Sequence, residues 1–592
     1  MTRRIPLFLL FALAISFCHV AAAQTPSAQA SPAQATAPSP ASSDLADADK
    51  LYNSSKFADA AAKYMGILKA DPNQVDAQVG LIRCLLREQK PDEALAVATA
   101  ALAAKPKSAA LLAAMGDVDF RMAHMHEAEE SYNSALDINP KLVDARLGLA
   151  RIYRAYSLYR QAHLQLEAAH KIAPNDPDVQ RRWIGQLSRK ERIAAIEAYL
   201  AGSHADTPDE IRSMQQYLEY LKATADTPVH ACKLVNRVER TDTKLESVTR
   251  GPREIVASVL VVKLNDRNVR LELDTGASGI LISRRAAEKA GVTRISKMSI
   301  GGIGDKGEQG GYFAVADRVR IGELEFHDCE VDVADHTRGL EEDGLIGADV
   351  FSSYLIDIDL PNQRLKLSEL PKRPQESSAP AALNSSGETS SADESDEGED
   401  QAQPAKPDDK AAKPDDKTAK ADEKPAKPAE KTAAAAPARR LPQDRYVAPE
   451  MEHWTKVFRF GHMLLIPTSI DRSPPMLFAI DTGAMTTSVS YRAAKQVTST
   501  SSDPTTRMIG LSGEVNKVYR AQDANVIFGH MAQRNQSVVT FDLSNLSQGI
   551  GTEVSGLLGY TTLRLLQVKI DYRDGLVDFV YDQKRFGAGT KF

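Results

Sequence analysis

Asp274 and Asp481 are the residues whose setting could do chemistry. Each opens the same tetrapeptide, Asp274-Thr275-Gly276-Ala277 and Asp481-Thr482-Gly483-Ala484, and each follows an apolar run. Val269, Leu271 and Leu273 alternate with polar residues before the first, and Met476-Leu477-Phe478-Ala479-Ile480 is unbroken before the second. Both patterns read as strands that deliver a carboxylate to a tight turn relieved by glycine. Two carboxylates about 3 Å apart cannot both ionise, so they share a proton and titrate as a unit. Such a pair can hold a water between them, take its proton on one side and give a proton to a carbonyl oxygen on the other. That is amide hydrolysis without a covalent intermediate. One loop supplies one carboxylate, so the site exists only where two copies meet, within one chain or between two.

The surroundings of the two tetrapeptides match far beyond them. Ile300-Gly301-Gly302-Ile303-Gly304 follows the first and Ile509-Gly510-Leu511-Ser512-Gly513 the second. Gly322 and Gly529 each lie 48 residues after their aspartate, and Asp335 and Asp542 each lie 61 after. Gly344-Leu345-Ile346-Gly347 answers Gly556-Leu557-Leu558-Gly559, and Asp359 and Asp571 stand twelve residues past the last glycines, where they read as structural. This is an internal duplication.

Each half resembles a retropepsin-type lobe of the aspartic protease family, whose pattern is Asp-Thr/Ser-Gly on a loop, a glycine-bearing flap hairpin, and a later apolar-apolar-Gly segment behind the loop. The resemblance spans residues 231–371 and 443–592. It implies that Asp274 and Asp481 are the catalytic carboxylates. Thr275, Gly276, Thr482 and Gly483 would brace the loops, supported by Leu345, Ile346 and Gly347 in one half and Leu557, Leu558 and Gly559 in the other. Gly301, Gly302, Gly304, Gly510 and Gly513 would let two flap tips open for substrate and close over it. Where pepsin-like enzymes often carry a hydroxyl residue after the glycine, this chain has Ala277 and Ala484. The missing donor implies a dyad less acidic than pepsin's and activity at mildly acidic pH. No cofactor is implied, and the substrate class is protein or peptide. The rival reading is an interaction protein whose lobes keep the fold and only bind peptides or assemble.

The elements that must position these residues are legible in outline. Residues 256–264 and 269–273 flank Asn265-Asp266-Arg267-Asn268, a hairpin signature. Residues 283–290 read as a short helix stopped by Gly291, and residues 491–496 take that place in the second half. Between the halves, residues 372–442 are dominated by Ala, Pro, Lys, Asp, Glu and Ser, with little large and apolar to bury. Such a stretch reads as a disordered tether, long enough to let the second lobe fold back on the first.

Upstream the material is helical. Pro72, Pro106, Pro140 and Pro174 recur every 34 residues; Ala60, Ala94, Ala128 and Ala162 precede them by twelve, and Tyr64, Ala98, Tyr132 and Leu166 by eight. This is the tetratricopeptide period, so residues 45–177 read as four repeats stacked in a solenoid. Residues 178–228 would extend it, with a capping box at Thr207-Pro208-Asp209-Glu210 and an apolar stripe of Ile211, Met214, Tyr217, Leu218 and Leu221 behind. The concave face of such a solenoid could grip a protein partner. The fold class is therefore multidomain: an all-α tetratricopeptide solenoid, then two mainly-β retropepsin-like lobes.

Arg3-Arg4, the apolar residues 5–17 and Ala21-Ala22-Ala23 read as a signal peptide over residues 1–23, implying export to the periplasm or outside the cell. Residues 24–44, rich in Ala, Pro, Ser and Gln, read as a flexible tether. Beyond the signal no stretch reaches membrane-spanning length, and a net charge of −6 leaves nucleic acid no electrostatic footprint. Cys84, Cys232 and Cys329 make neither a disulfide framework nor a metal site; an oxidising compartment would allow one disulfide with a spare thiol, Cys84 reading as a buried apolar residue. The histidines His327, His336, His453, His462 and His530 lack metal-ligand spacing and read as surface or structural residues. Ser278 lies beside the first loop but in no Gly-x-Ser-x-Gly elbow.

Overall fold

A computed structural model describes residues 40–225, 231–251, 254–336, 342–374, 442–582 and 584. The signal peptide, residues 24–39 of the tether and residues 375–441 of the linker lie outside the described residues. The first helix, Pro40–Tyr52, begins inside the stretch read as tether, with proline at a position whose N–H no helix uses.

Four helix pairs follow the 34-residue period: Pro40–Tyr52 with Phe57–Ala70, Val75–Arg87 with Pro91–Ala104, Ala109–Arg121 with Met125–Ile138, and Val143–Ala155 with Tyr159–Ile172. The repeat alanines Ala60, Ala94 and Ala128 are fully buried. The repeat tyrosine Tyr132 is wedged between Gly116 and Gly148, where any side chain would fall within 3 Å of its ring. The predicted capping box at Thr207 forms and starts the helix Pro208–Ala223. The preceding turn folds back across the first helices of the repeats. Arg87 donates to Ala205 O at 2.9 Å and pairs with Glu210 at 2.5 Å, and Ser55 hydrogen-bonds Asp206 O. Part of the face expected to hold a partner therefore holds this chain's own residues.

The first lobe is a nine-stranded sheet and the second an eight-stranded one. In each, the strand leading to the aspartate runs parallel to the apolar-apolar-Gly strand: Arg267–Asp274 beside Gly344–Gly347, and Met476–Ile480 beside Gly556–Leu558. The hairpin before Asp274 turns on Asn265 and Asp266, both at positive φ (45° and 66°), so its second strand begins at Arg267, inside the predicted turn. The short helices form as read, Arg284–Ala290 ending on Gly291 and Tyr491–Val497 capped by Ser490. Only lobe 1 carries a disulfide, Cys232–Cys329; Cys84 is a buried free thiol.

The lobes pair within the chain. Tyr354–Asp359 of lobe 1 lies antiparallel to Leu566–Asp571 of lobe 2, with Ile356 opposite Ile570 and Ile358 opposite Val568, at the centre of a six-stranded sheet shared by both. One apolar core runs through this seam. Beside it, Arg373 donates to Gln443 Oε1 at 2.6 Å and pairs with Asp574 at 2.5 Å, joining the residues that flank the linker.

The solenoid is docked on both lobes. Phe120, Met125, Leu149 and Ile152 share a core with Leu465, Leu477, Leu543 and Leu557 of lobe 2. Arg121 donates to Ser547 O at 2.7 Å, and Thr552 Oγ1 to Phe120 O at 2.6 Å. On lobe 1, the amide of Gln216 clamps the edge strand Thr293–Ile300: its Oε1 accepts from Ser299 N at 3.0 Å and its Nε2 donates to Ser299 Oγ at 3.1 Å. No described helix is long and apolar enough to cross a membrane.

Candidate active site

The seam brings the two tetrapeptides face to face. Thr275 N donates to Thr482 Oγ1 and Thr482 N to Thr275 Oγ1, both at 3.0 Å. Thr275 Oγ1 donates to Ile480 O at 2.8 Å, and Thr482 Oγ1 to Leu273 O at 2.7 Å. All four bonds are buried and cross between lobes, so each threonine closes two donors of its own and satisfies its partner's backbone. A valine at either position could keep the shape but would lose the two bonds that use that threonine's hydroxyl.

The aspartates stand on this brace. Asp274 Oδ1 accepts from Gly276 N at 2.7 Å and Asp481 Oδ1 from Ala484 N at 2.8 Å. The glycines answer to steric demand from across the seam. A Cβ on Gly276 would lie 2.8 Å from Asp481 Cγ, and one on Gly483 only 2.4 Å from Asp274 Cγ. Burial raises both carboxyls above the ordinary range, and the charge of Asp274 raises Asp481 further. The N–H of Gly276, the shared proton and His462 pull Asp274 back down. The pair therefore holds one proton across a raised range of pH.

Behind the loops, Leu345, Ile346, Leu557 and Leu558 are buried. Gly347 N donates to Gly279 O at 2.7 Å, Gly559 N to Thr487 Oγ1 at 3.0 Å, and Asp481 N to Leu558 O at 3.0 Å. Ser278 is held by Asp349 at 3.2 Å. Asp359 and Asp571 lie at the ends of the two seam strands, away from the dyad loops.

The flap candidates meet each other. The tip between Thr293–Ile300 and Gln309–Ile321 carries Gly301, Gly302 and Gly304; the other tip is the small hairpin Ile509–Gly510 with Gly513–Glu514. Gly302 N donates to Ser512 Oγ at 3.1 Å, Ser512 N to Ile303 O at 3.0 Å, and Lys306 N to Ser512 O at 2.8 Å. Gly304, at φ 136°, packs against the backbone of Ser512 where a Cβ has no room. The tips, the dyad and part of the solenoid bound one cavity of about 2700 Å³, well above the few hundred to a thousand Å³ of a small-molecule site.

His462, read from the sequence as a surface or structural residue, has a place beside the dyad that the sequence reading did not give it. It sits at the turn between Phe458–Phe460 and Met463–Ile470 of lobe 2, lines the cavity, and its Nε2 lies 3.2 Å from Gly276 O in lobe 1. Its only local signal is the preceding Gly461, at φ 59°, which makes the turn tight. Among the described residues no cluster of His, Cys, Asp or Glu could hold a metal ion.

Residues 260–350 and 466–562 match the family model described as aspartyl protease, and residues 45–109 match the tetratricopeptide repeat model. The chain thus fuses tetratricopeptide repeats to a duplicated protease-like fold. A curated relative, cellulose synthase operon protein C of Pseudomonas fluorescens (strain SBW25), is 27% identical over 216 residues. That match covers 35% of this chain and spans 15% of the relative's length. Among solved structures, aspartic proteinase from Irpex lacteus is similar at 13% identity and a TM-score of 0.31, over 60% of this chain and 100% of its own. A thermophilic tetratricopeptide protein of Thermus thermophilus is similar at 16% identity and a TM-score of 0.25, over 30% of this chain and 98% of its own.

Proposed function

We propose that this chain is an aspartic-type endopeptidase whose single site is completed by its own two lobes, with Asp274 and Asp481 as the catalytic pair. The observation that carries the reading is the reciprocal contact at the seam. Each aspartate lies against the other lobe's glycine, and the threonine network fixes their approach. A pair holding one proton is the state the chemistry needs. The ionised carboxylate takes a proton from water as its oxygen bonds to the peptide carbonyl carbon, while the protonated carboxylate gives its proton to the carbonyl oxygen. The tetrahedral adduct then collapses, the C–N bond breaks, and the amine leaves with a proton from the pair. The flap tips exclude water while this occurs. His462 holds the Gly276 carbonyl and so steadies the Asp274 loop from the opposite lobe.

The raised carboxyls fit activity at mildly acidic pH, falling as pH rises far enough to strip the shared proton. Export through the signal peptide at residues 1–23 is part of the same proposal, and a disulfide in lobe 1 suits an oxidising compartment. The solenoid, docked beside the cavity, is proposed to help bind the polypeptide substrate.

The test is cleavage of a peptide library across pH by wild type, Asp274→Asn and Asp481→Asn, with pepstatin as control. Wild-type cleavage that drops about 1,000-fold or more in both variants supports one shared site. Full activity in either variant, or no cleavage by wild type at any pH, overturns it; the latter leaves the reading of a peptide-binding interaction protein.

A further inference from the structure

The two lobes present different walls to the substrate. Across the lobe-1 sheet, Glu272, Leu345, Leu281, Asp332 and Phe313 stand in cross-strand register, one on each of five adjacent strands. Partners opposed across neighbouring strands project from the same face, and all five line the catalytic cavity. Leu281 and Leu345 pack with Ile300, and with Ala277 and Met298 beside them, so this wall is an apolar pocket next to the Asp274 loop. Asp332 is its polar corner.

No described residue answers that carboxyl. Asp332 is half-buried, and no described residue gives it a hydrogen bond or an ion pair. Burial pushes it well above the usual carboxylate range, and the charges that reach it, those of Glu330 and Asp349, are negative and push the same way. Arginines on other walls of the cavity are already engaged: Arg181 with Asp206, Arg520 with Asp503, and Arg573 with Asp574. A half-buried carboxyl set among apolar side chains without a partner costs stability when it ionises. A cation brought by a ligand converts it to a charge-assisted pair.

Lobe 2 offers the control. Its matching row, in the same order, is Ala479, Leu557, Ser488, Val539 and Arg520. Asp332 and Val539 each lie 58 residues after their lobe's aspartate. An extended peptide crossing the seam sends side chains on either side of the scissile bond towards different lobes, so it meets an acidic pocket on one side only.

From this asymmetry we infer that the lobe-1 pocket selects a lysine or arginine side chain on one side of the scissile bond, with Asp332 receiving the cation. This rests on the protease reading above. On binding, the cation pairs with the ionised carboxylate; no covalent bond changes.

Binding and cleavage test it separately. Peptides with a reduced, uncleavable bond, identical but for lysine or norleucine at one position beside that bond, are titrated into the full chain by fluorescence anisotropy. Wild type is expected to favour lysine about tenfold on one side of the bond only, and Asp332→Val and the isosteric Asp332→Asn to bring the ratio near one. No lysine preference in wild type, equal preference on both sides, or a preference that survives in both variants overturns the inference. Matched cleavable peptides then separate the two readings. A chain that cuts without lysine preference defeats this inference alone, and one that binds with the preference but cuts nothing defeats the protease reading alone.

Discussion

Lobes 1 and 2 are near copies where they touch and strangers where they do not. At the seam the four threonine bonds are mirrored, threonine to threonine and threonine to the partner's carbonyl, and each glycine lies against the partner's aspartate. On the cavity walls Asp332 of one lobe corresponds to Val539 of the other. Lobe 1 has the disulfide and the Gln216 clamp on its flap strand, while lobe 2 shares a core with helices of the third and fourth repeats. The difference teaches where the constraint lies. A pseudo-twofold contact allows a change on one side only if the other side answers it, whereas a peptide has a direction, so walls that read it are free to diverge.

The sharpest way to break this comparison is to fill either glycine. Gly276→Ala and Gly483→Ala each push a methyl group into the opposite carboxyl. Both are expected to cut peptide cleavage by about 100-fold or more, since a displacement of about 1 Å at the reacting groups has that effect. Matched kcat/KM measurements check it, and a silent substitution on one side would end the claim of reciprocity. Next in size is the disulfide. Cys232→Ser is expected to remove about 2–4 kcal/mol from lobe 1, because the bridge closes a separation of 97 residues. Hydrogen exchange should rise in the strand Glu254–Leu264 and stay unchanged in Met463–Ile470 of lobe 2; equal loosening of both would show that the lobes unfold as one.

The smallest contrast concerns the aspartates that end the seam strands. Burial, and the charge of Asp574 beside it, raise Asp571 to about 6. Burial also works against the charge on Asp359, but Lys366 at 2.7 Å and the Asn362 side chain outweigh it and hold that carboxyl below its usual value. The signs are therefore opposite. The stability lent by protonated Asp571 is present below about pH 4 and lost as pH rises through about 6, so Asp571→Asn is expected to gain about 2 kcal/mol at pH 8 and nothing at pH 4. Stability from ionised Asp359 is present at neutral pH and lost as pH falls through its depressed value. Asp359→Asn is expected to cost about 1 kcal/mol at neutral pH, discounted because Lys366 is partly exposed. Urea midpoints across pH check both, and parallel curves would erase the distinction.

Much of the site was legible because its parts are local and occur twice. Strand alternation before Asp274, the capping box at Thr207 and the 34-residue period are short-range patterns, and a motif repeated at equal spacings needs no third dimension to be noticed. What escaped depends on encounters between distant segments. The first helix starts at Pro40, inside a stretch whose composition reads as a tether. The turn around Ala205 and Asp206 occupies part of the solenoid through Arg87 and Ser55, and neither residue has a pattern that announces so remote a partner. His462 reaches Gly276 only because the lobes pair, and Asp332 stands out only when its empty surroundings are known.

Arg373 gives the linker an unexpected standing. By grasping Gln443 it brings the exit from one lobe and the entry to the other to the same spot, so everything between them is a detour that begins and ends at one door. The length of that detour can change, or its backbone can be nicked, without altering the distance either lobe must travel, because union rests on the shared strands. Inserting or trimming sequence there is then a route by which such a chain could acquire new appendages while the approach of Asp274 to Asp481 stays fixed.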